Sequence, residues 1–452
     1  MMLGPAVAIA RAARAASRRA GRGGTTAAGR VLLKLDPDAI AELSRRLDRG
    51  SVLVSATNGK TTTSTMLSTI LGKAGIPLVH NRAGSNMHWG VATALLDAGR
   101  TSGELGLFEV DEAWLPAVAD AVEPRLVLLS NLFRDQLDRY GELELLAERW
   151  AQTVERHAAH SRFALNADDP LVADLGRTID NDVYFGMEDD SQALPELQHA
   201  ADSKHCRNCG HAYVYDAVYL GHLGRYHCPN CGRRRPEPQV VARRVVLHGM
   251  NGSEIEIETP AGSTTIKLQL PGLYNVYNAV AAATAAIELG PTLDQVRDGL
   301  EAFGGAFGRV ERVPVHGRDV LILLVKNPAG ANEVLRTITL EDGQLDLWLA
   351  LNDRIADGRD VSWIWDADFE LLAGRVASLT CSGTRAEEMA LRLKYAGIEA
   401  RPLVDRDLAT SLDAAVERGD RSRPLLALPT YTALLELRGE LAERGMAGRW
   451  SD

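Results

Sequence analysis

The segment 55–62 carries a glycine and a lysine in a setting that suits phosphate binding. A β-branched run precedes it and a helical pattern follows, so Gly59 and Lys60 lie where a strand turns into a helix. At such a helix N-terminus backbone N–H groups hold phosphate oxygens, the lysine reaches the β- and γ-phosphates, and the Thr61 hydroxyl ligates Mg²⁺. The common pattern has a glycine where this chain has Val54, and a plain turn is the alternative interpretation. We call this segment the Gly-Lys loop, and its predicted nucleotide-contacting residues are Thr57, Asn58, Gly59, Lys60, Thr61 and Thr62.

Cysteines form a second pattern with chemical meaning. Two C-x-x-C-G pairs comprise Cys206, Cys209, Cys228 and Cys231. Each pair lets two thiolates reach one ion, so the four sulfurs match the ligand set of a structural Zn²⁺ ribbon, and a redox role is the alternative. The nearby His205, His211 and His227 are predicted to be surface residues, because four sulfurs already complete a tetrahedron. The fifth cysteine, Cys381, ends an apolar strand pattern and is predicted to be a core thiol.

Strands and helices alternate around the Gly-Lys loop, which predicts an α/β fold with a mostly parallel sheet. Further strands are predicted at 105–110, 125–131 and 162–169, with helix-length segments between them. The cysteine pairs interrupt this series, and a second series begins near the C-terminal third. The predicted divisions are a helical lead-in at 1–45, a central domain at 46–315 with an insertion at about 200–240, and a smaller α/β domain at 316–452.

Composition and charge restrict the classes of function that remain. The chain has 452 residues, 46% of them hydrophobic and 24% charged, which is typical of a globular protein of two or three domains. Its formal net charge of −10 argues against a nucleic-acid binder, which needs a basic surface. No apolar run is long enough to span a membrane, and the cysteine pattern suits a reducing, cytoplasmic compartment. The arginine-rich segment 1–24 predicts an amphipathic helix that is either purely structural or in peripheral contact with an anionic membrane surface.

The sequence T-N-G-K-T-T within the Gly-Lys loop resembles the phosphate loop of the Mur ligase superfamily, and other landmarks follow in the same order. Glu109 ends a strand where these ligases place a Mg²⁺-ligating glutamate. A later segment is similar to their adenine-side helix and carries Asn275 and Asn278, and Arg309 lies in the arginine motif that closes their central domain. The resemblance implies a Mur ligase-type central P-loop ATPase domain with the inserted four-cysteine zinc ribbon, followed by a smaller Rossmann-like α/β domain. It also implies that ATP is used and that Thr61 and Glu109 hold Mg²⁺.

Two departures from the superfamily concern a second metal site. Many members use a histidine and a carbamylated lysine as further metal ligands. Here Gln136 stands at the histidine position, and no lysine occurs between Lys73 and Lys204. Because a neutral amide is a poorer metal ligand than imidazole, we predict that the second metal site is altered or absent.

Segments in the C-terminal part narrow the resemblance to the MurT family, whose members are synthase subunits of lipid II isoglutaminyl synthase. The segments are 327–335, 351–370, 380–397 and 428–438. The resemblance implies a ligase that uses ATP to activate the α-carboxylate of D-glutamate in the lipid II stem peptide as an acyl phosphate. Ammonia from glutamine, supplied by a GatD-like glutamine amidotransferase partner, then gives D-isoglutamine. The implied location is the cytoplasm, at the inner face of the membrane.

The resemblance assigns roles to three residues. Lys60 and Glu109 would serve phosphoryl transfer, and Asp360 would reach the partner and complete its Cys–His pair into a triad, because a carboxylate orients an imidazolium. Without the resemblance, Asp357, Asp360 and Asp366 are interpreted as solvated loop acids or helix caps. Two alternatives stay open for the whole chain: a stand-alone amino-acid ligase of the Mur or folylpolyglutamate type, and a non-catalytic zinc-ribbon scaffold that binds nucleotide.

Overall fold

A computed structural model describes residues 3–19, 26–81, 85–135, 143–199, 201–304 and 310–446. In these ranges the helices are α1 (Leu3–Arg19), α2 (Ala27–Leu35), α3 (Ala39–Ser44), α4 (Lys60–Lys73), α5 (His88–Leu95), α6 (Leu115–Val122), α7 (Leu143–His157), α8 (Pro170–Ala173), α9 (Leu273–Leu289), α10 (Leu293–Glu301), α11 (Pro328–Thr339), α12 (Ala386–Tyr395), α13 (Leu408–Arg418) and α14 (Tyr431–Glu443). The strands are β1 (Ser51–Ser55), β2 (Leu78–His80), β3 (Leu105–Glu109), β4 (Leu126–Leu129), β5 (Arg162–Asn166), β6 (Asp182–Met187), β7 (Val214–Leu220), β8 (Leu223–His227), β9 (Val240–Leu247), β10 (Ser253–Thr259), β11 (Gly262–Leu268), β12 (Val310–Val315), β13 (Arg318–Leu323), β14 (Leu345–Ala350), β15 (Val376–Ser382), β16 (Leu403–Val404) and β17 (Leu425–Pro429).

A nine-stranded sheet contains the strand that leads into the Gly-Lys loop. Its order is β11-β10-β9-β6-β5-β4-β1-β3-β2. The strands from β2 across to β9 are parallel, whereas β9, β10 and β11 pair antiparallel. Every residue of β1 is buried, as expected for a strand that helices cover on both faces. The loop after β1 therefore emerges at the carboxyl edge of the sheet, where ligands bind in open parallel sheets.

A six-stranded sheet carries the C-terminal part of the chain, in the order β12-β13-β17-β14-β15-β16. Its strands are parallel except for β12, which pairs antiparallel with β13. The register of that pair runs from Val310 to Val315, so β12 belongs to this sheet although it precedes the boundary predicted between residues 315 and 316. The division into domains as such stays a prediction.

The four-cysteine segment lies between β6 and β9, which are parallel neighbours in the large sheet. Its hairpin strands, β7 and β8, pair with each other as a separate two-stranded sheet. Tyr213 and Tyr226 pack edge to face with their rings 4.9 Å apart and join the core of the large sheet. The chain thus leaves the large sheet after β6, forms the hairpin and returns at β9.

The N-terminal helices pack beside the large sheet. The guanidinium of Arg11 on α1 donates to the Leu96 carbonyl at 2.6 Å, and Arg14 pairs with Asp97 at 2.9 Å. Two arginines of the predicted amphipathic helix are therefore bound to protein groups. Among the described helices, none combines the length and the apolar character that a membrane crossing requires.

Candidate active site

The Gly-Lys loop runs from β1 to the first turn of α4 and requires a glycine at its sharpest point. Gly59 has a φ of +86°, and a Cβ at this position would lie 2.0 Å from Asn278 Oδ1. Asn131, just after β4, holds the loop from the other side, because its Oδ1 accepts from the Asn58 N–H and its Nδ2 donates to the Asn58 carbonyl, both at 2.9 Å. The loop is thus fixed at a helix N-terminus, where free N–H groups and the helix dipole favour an anion.

Lys60 and Glu112 form a buried ion pair beside this loop. Lys60 Nζ lies 2.7 Å from Glu112 Oε2, and the two side chains are 10% and 6% exposed. Burial opposes the charged ammonium, but Glu112, Asp111 and Glu109 outweigh it, and the pKa of Lys60 is raised. Burial likewise opposes the Glu112 carboxylate, but Lys60 and Lys326 lower its pKa. Both groups are therefore ionised at neutral pH, and the loop holds a fixed cation.

Two oxygen donors meet at the carboxyl end of β3. The Thr61 hydroxyl donates to Glu109 Oε1 at 3.0 Å, and Glu109 is buried. Asn81 fixes the backbone of Glu109, since it accepts from the Glu109 N–H at 2.9 Å and donates to the Glu109 carbonyl at 2.8 Å. A hydroxyl and a carboxylate are donors that the hard Mg²⁺ ion takes. The donor pair therefore fits the predicted Mg²⁺ site.

The two predicted asparagines of α9 lie behind the loop, one supporting the other. Asn278 Oδ1 accepts from the Thr63 hydroxyl at 3.1 Å, and Asn278 Nδ2 donates to Asn275 Oδ1 at 3.2 Å. Asn275 in turn donates from Nδ2 to the Pro271 carbonyl at 2.8 Å. Asn275 therefore positions Asn278, and Asn278 is the one that lies against Gly59.

A cleft opens between the Gly-Lys loop, α9 and α11. Its polar lining consists of Asn58, Asn131, Asn278, Lys326 and Glu333. Its apolar and aromatic lining includes Phe133, Leu220, Leu223, Leu324, Tyr274, Tyr277, Ala329 and Val334. Small-molecule sites in proteins typically have this mixture of apolar walls and a few polar groups. The cleft therefore has the lining of a ligand site, with the loop at one side.

The start of α11 closes this cleft against the loop. Asn327, the N-cap of α11, donates from Nδ2 to Asn58 Oδ1 at 2.9 Å. Lys326 donates from Nζ to the Thr57 carbonyl at 3.3 Å and pairs with Asp135 at 2.5 Å. These contacts join groups that belong to the two different sheets, so the loop and the C-terminal part build one site.

Two of the predicted loop residues turn their side chains into the protein. The Thr57 hydroxyl accepts from the Phe133 N–H at 3.1 Å and is 2% exposed, and Thr62 is 1% exposed. A phosphate would therefore meet backbone N–H groups at these two positions, and their predicted contact with nucleotide stays a prediction.

The sulfur atoms of Cys206, Cys209, Cys228 and Cys231 all lie within 4.8 Å of one another. The Cys206–Cys231 and Cys209–Cys228 sulfur distances are 3.7 and 3.4 Å. A tetrahedral ion with metal–sulfur bonds near 2.3 Å sets its sulfurs about 3.8 Å apart. The glycine after each pair has a φ of +73°, which lets the chain turn back toward the ion position. The cluster therefore has metal-binding geometry.

The D-G-R-D segment places its two aspartates in different environments. Asp357 is buried and accepts at Oδ1 from the Thr432 N–H at 2.7 Å; burial raises its pKa despite the hydrogen bonds from Thr432. Asp360 is exposed and accepts at Oδ1 from the Ser362 N–H at 2.8 Å, and this bond lowers its pKa. Asp357 thus anchors the segment to the start of α14, and Asp360 is an accessible carboxylate.

Comparison with known proteins assigns this arrangement to a family. Residues 54–231 match the Mur ligase middle domain, and residues 324–434 match the MurT ligase C-terminal domain. The chain is 34% identical to the lipid II isoglutaminyl synthase (glutamine-hydrolyzing) subunit MurT of Staphylococcus aureus (strain N315), over 96% of this chain and 97% of the relative. The chain belongs to the MurT family. The subunit of the same name from Streptococcus pneumoniae (strain ATCC BAA-255 / R6) is 32% identical over 94% of each chain.

Solved structures share the fold of this MurT-family chain. A pseudomurein peptide ligase type C from Methanothermus fervidus gives a TM-score of 0.68 at 23% identity, covering 89% of this chain and 80% of that one. MurF ligase from Thermotoga maritima, solved in complex with ADP, gives a TM-score of 0.63 at 14% identity, covering 91% of this chain and 84% of that one. The predicted Mur ligase-type α/β fold is confirmed.

The MurT resemblance and the assignment as a ligase are confirmed as well. The stand-alone amino-acid ligase is the less supported alternative, because UDP-N-acetylmuramate–L-alanine ligase from Chelativorans sp. (strain BNC1) matches 59% of this chain at 27% identity. The full-length matches instead carry the name of a synthase subunit.

Two predicted positions of this MurT-family site lie outside the described residues, namely Arg309 and Gln136. Sequence reasoning assigned no role to Glu112, Asn131 or Glu333, which the structure places around the loop and the cleft. Asn131 had a local signal, since it is the last residue of the predicted strand 125–131 and so lies at the carboxyl edge of the sheet. Glu333 had none, because a glutamate within a helix is ordinarily solvated.

Proposed function

We propose that this chain is the ATP-dependent synthase subunit of a lipid II isoglutaminyl synthase. The full-length likeness to the Staphylococcus aureus subunit supports the substrate class. The structural observation that carries the proposal is the convergence of Lys60, Thr61 and Glu109 beside an apolar cleft. Lipid II is taken as the substrate because the relative's name states it.

The proposed reaction has two steps on one carboxyl group. An α-carboxylate oxygen of D-glutamate in the stem peptide attacks the γ-phosphorus of ATP, the bond to the bridging oxygen breaks, and ADP leaves. The product is an acyl phosphate. Ammonia then attacks the acyl carbon, inorganic phosphate leaves, and loss of a proton from the nitrogen gives the amide, D-isoglutamine.

The described residues have separate tasks in this scheme. Lys60 holds the β- and γ-phosphates and stabilises the charge that develops during transfer. Glu112 is a positioning residue, since it keeps the Lys60 ammonium charged and in place. Thr61 and Glu109 would hold Mg²⁺, which would neutralise phosphate charge. Lys326 brings a second cation from the other sheet to the same loop.

Ammonia must come from a partner subunit, which we propose is a GatD-like glutamine amidotransferase. Cys381 is fully buried, and burial raises its pKa to about 12, so this thiol is unsuited to act as a glutaminase nucleophile. Asp360 is an exposed carboxylate, and Ile355 and Trp365 in the same segment are 71% and 49% exposed. We therefore place the partner's histidine at Asp360.

The cysteine cluster is proposed to bind Zn²⁺ for structural reasons. Four thiolates close a tetrahedral shell and leave no open position for substrate or water. The ion would tie together the two turns that flank the hairpin of β7 and β8, and it takes no part in the amidation.

The lipid-linked substrate places the reaction at the inner, cytoplasmic face of the membrane in this proposal. The basic segment 1–24 would supply peripheral attraction to anionic lipid. Arg11 and Arg14 contribute little to it, since both contact protein groups.

Amidation of lipid II tests the proposal directly. The full chain is incubated with a GatD-like subunit, ATP, Mg²⁺, glutamine and lipid II, and the amidated product is followed by mass spectrometry together with phosphate release. We expect D-isoglutamine only when ATP and a nitrogen source are present, with free ammonium replacing glutamine and the partner. Formation of no amide under either condition would overturn the proposal, and transfer of an amino acid instead would favour the stand-alone ligase.

A further inference from the structure

A buried carboxyl group lines the cleft and accepts no hydrogen bond from the residues that the structure describes. Glu333 on α11 is 1% exposed, and neither of its oxygens has a hydrogen-bond partner among the residues that the structure describes. The Arg336 guanidinium lies 3.9 Å from Glu333 Oε1, but it donates to the carbonyls of Tyr219 and Gln192 at 2.9 Å each. A buried polar group without a hydrogen-bond partner destabilises the folded chain, more strongly if it is charged, so it calls for an explanation.

The position of Glu333 relates it to the Gly-Lys loop. On the same helix, a Cβ at Gly330 would lie 4.0 Å from Asn58 Oδ1, so this turn of α11 touches the loop. Residues three apart share one face of a helix, and both Gly330 and Glu333 line the cleft. Glu333 therefore lies one turn further along the cleft than the residues next to the loop.

The lining of the cleft indicates which ligand group could donate a hydrogen bond to Glu333. Phosphates belong at the Gly-Lys loop, where N–H groups and Lys60 lie, so the base of a nucleotide must extend along the apolar and aromatic walls. In that region Glu333 offers acceptor oxygens to a ligand and no permanent donor. Adenine presents an exocyclic N–H₂ at carbon 6, whereas guanine and hypoxanthine present a carbonyl oxygen that a carboxylate repels.

We propose that Glu333 accepts a hydrogen bond from the exocyclic amine of adenine and thereby selects adenine over 6-oxopurine nucleotides. This inference rests on the proposed function, in that the cleft is taken to bind ATP. Burial raises the pKa of Glu333 to about 7, with Arg336 opposing the rise, as expected for a carboxyl that lacks its donors. Binding of adenine supplies such a donor and favours the carboxylate.

Nucleotide selectivity of the full chain tests the inference. Dissociation constants are measured by calorimetry with Mg²⁺ for ATP, ITP and purine riboside triphosphate, which lacks any group at carbon 6. We expect the wild-type chain to prefer ATP over both analogues by roughly 10- to 100-fold, the range set by one unmet buried polar contact. In Glu333→Gln the amide can accept from adenine or donate to a 6-oxo group, so the ratio of ATP to ITP affinity is expected to fall at least about 10-fold.

A second variant and a control separate selectivity from folding. In Glu333→Leu the preference for ATP over purine riboside triphosphate should disappear, and affinity ratios are insensitive to the folded fraction. Asp342→Asn removes an exposed carboxylate just after the same helix and should leave every ratio unchanged. If wild-type chain binds none of the nucleotides, the proposed function fails. If it binds ATP but discriminates no better than Glu333→Gln, the role of Glu333 is overturned while nucleotide binding stands.

Discussion

The Lys60 ammonium and the Glu112 carboxylate lie 2.7 Å apart in a buried pair, so the cation of the Gly-Lys loop has its own counter-ion. The Trp150 indole N–H donates to the Glu112 carbonyl at 2.9 Å and fixes the backbone that carries the carboxylate. Glu109, the predicted metal ligand, ends the strand from which Glu112 follows. One strand end thus supplies both the counter-ion of the lysine and the carboxylate predicted to bind metal.

Replacement of Lys60 by Met should strongly reduce the rate of phosphoryl transfer. Loss of one preorganised cation lowers turnover on the order of 10²–10³-fold, because transition-state charge is left unbalanced. ATP-dependent phosphate release in the presence of lipid II and ammonium measures the effect. Lys73→Met, in the last turn of the same helix, is the matched control and should keep wild-type rates. Equal rates for the two variants would refute the role of Lys60.

Glu112→Gln should produce a smaller catalytic defect than Lys60→Met and a loss of stability. Removal of one partner of a buried ion pair costs up to about 3–5 kcal/mol, although Asp111 and Glu109 still support the ammonium. Thermal unfolding and steady-state rates, measured on the same preparation, separate the two effects. A variant as inactive as Lys60→Met at unchanged stability would instead place Glu112 in contact with substrate.

Gly59→Ala should weaken nucleotide binding and destabilise the chain. A positive φ in a non-glycine residue costs about 1–3 kcal/mol, and the new Cβ would also collide with Asn278. Gly72→Ala in the same helix meets no neighbouring atom and should stabilise the chain by about 0.5–1 kcal/mol. ATP affinity measured by calorimetry checks the expected weaker binding by Gly59→Ala. Thermal unfolding of the two variants checks the expected loss of stability in Gly59→Ala and the expected gain in Gly72→Ala. A tight ATP complex of Gly59→Ala would show that the loop rearranges freely.

The Asp360→Asn variant should not amidate lipid II with glutamine as the nitrogen source, but it should do so with ammonium. The carboxylate is proposed to orient the partner's histidine, so its loss removes glutaminase activity and leaves the ligase site intact. Amidation of lipid II, measured separately with glutamine and with ammonium, shows this difference in activity. Asp366→Asn, whose carboxylate lies 3.6 Å from Arg134, is the control and should use both sources. Failure of Asp360→Asn with ammonium would assign Asp360 to the ligase chemistry or to folding.

Metal analysis should find about one Zn²⁺ per chain, because the four thiolates close a single tetrahedral site. Cys206→Ser should lose the metal and lower the unfolding temperature, whereas Cys381→Ser should retain it, since Cys381 lies in the core of the second sheet. Elemental analysis of purified variants checks this. Full zinc content in Cys206→Ser, or a redox-active disulfide in the wild type, would contradict a structural zinc site.

Stability should fall as pH rises from about 4.5 to about 7, in part because of Glu333. The pKa of Glu333 is raised from 4.5 in the unfolded chain to about 7 in the folded protein. The protonated carboxyl therefore contributes its full stabilisation below about pH 4.5, and this contribution is lost as the pH rises through about 7. Arg336 is the charged group beside it. The Glu333→Gln variant should lack this pH dependence. At pH 8 its free energy of unfolding should exceed that of the wild type by on the order of 3 kcal/mol. The same dependence of melting temperature on pH in the wild type and in Glu333→Gln would contradict the raised pKa of Glu333.

Local patterns in the sequence were sufficient for the features that a few adjacent residues build. The Gly-Lys loop and the two cysteine pairs could be recognised because a strand end, a tight turn and a helix start involve only neighbouring residues. The α/β fold could be predicted for the same reason, from alternation of strand and helix periodicities. Asp360 could be singled out from Asp357 by resemblance, and the structure adds the physical difference between them, because Asp360 is exposed and Asp357 is anchored to α14.

The sequence by itself determined the kind of site: a phosphate-binding loop, a thiolate cluster and a parallel sheet to carry them. The tertiary structure alone decided which distant groups complete that site. Asn327 meets Asn58 across 269 positions, Glu112 neutralises Lys60, and Glu333 lies in the cleft without a hydrogen-bond partner among the described residues. Such contacts depend on how the two sheets pack against one loop. No local propensity encodes them, since the hydrogen bonds and charges of a side chain depend on neighbours that only folding brings near.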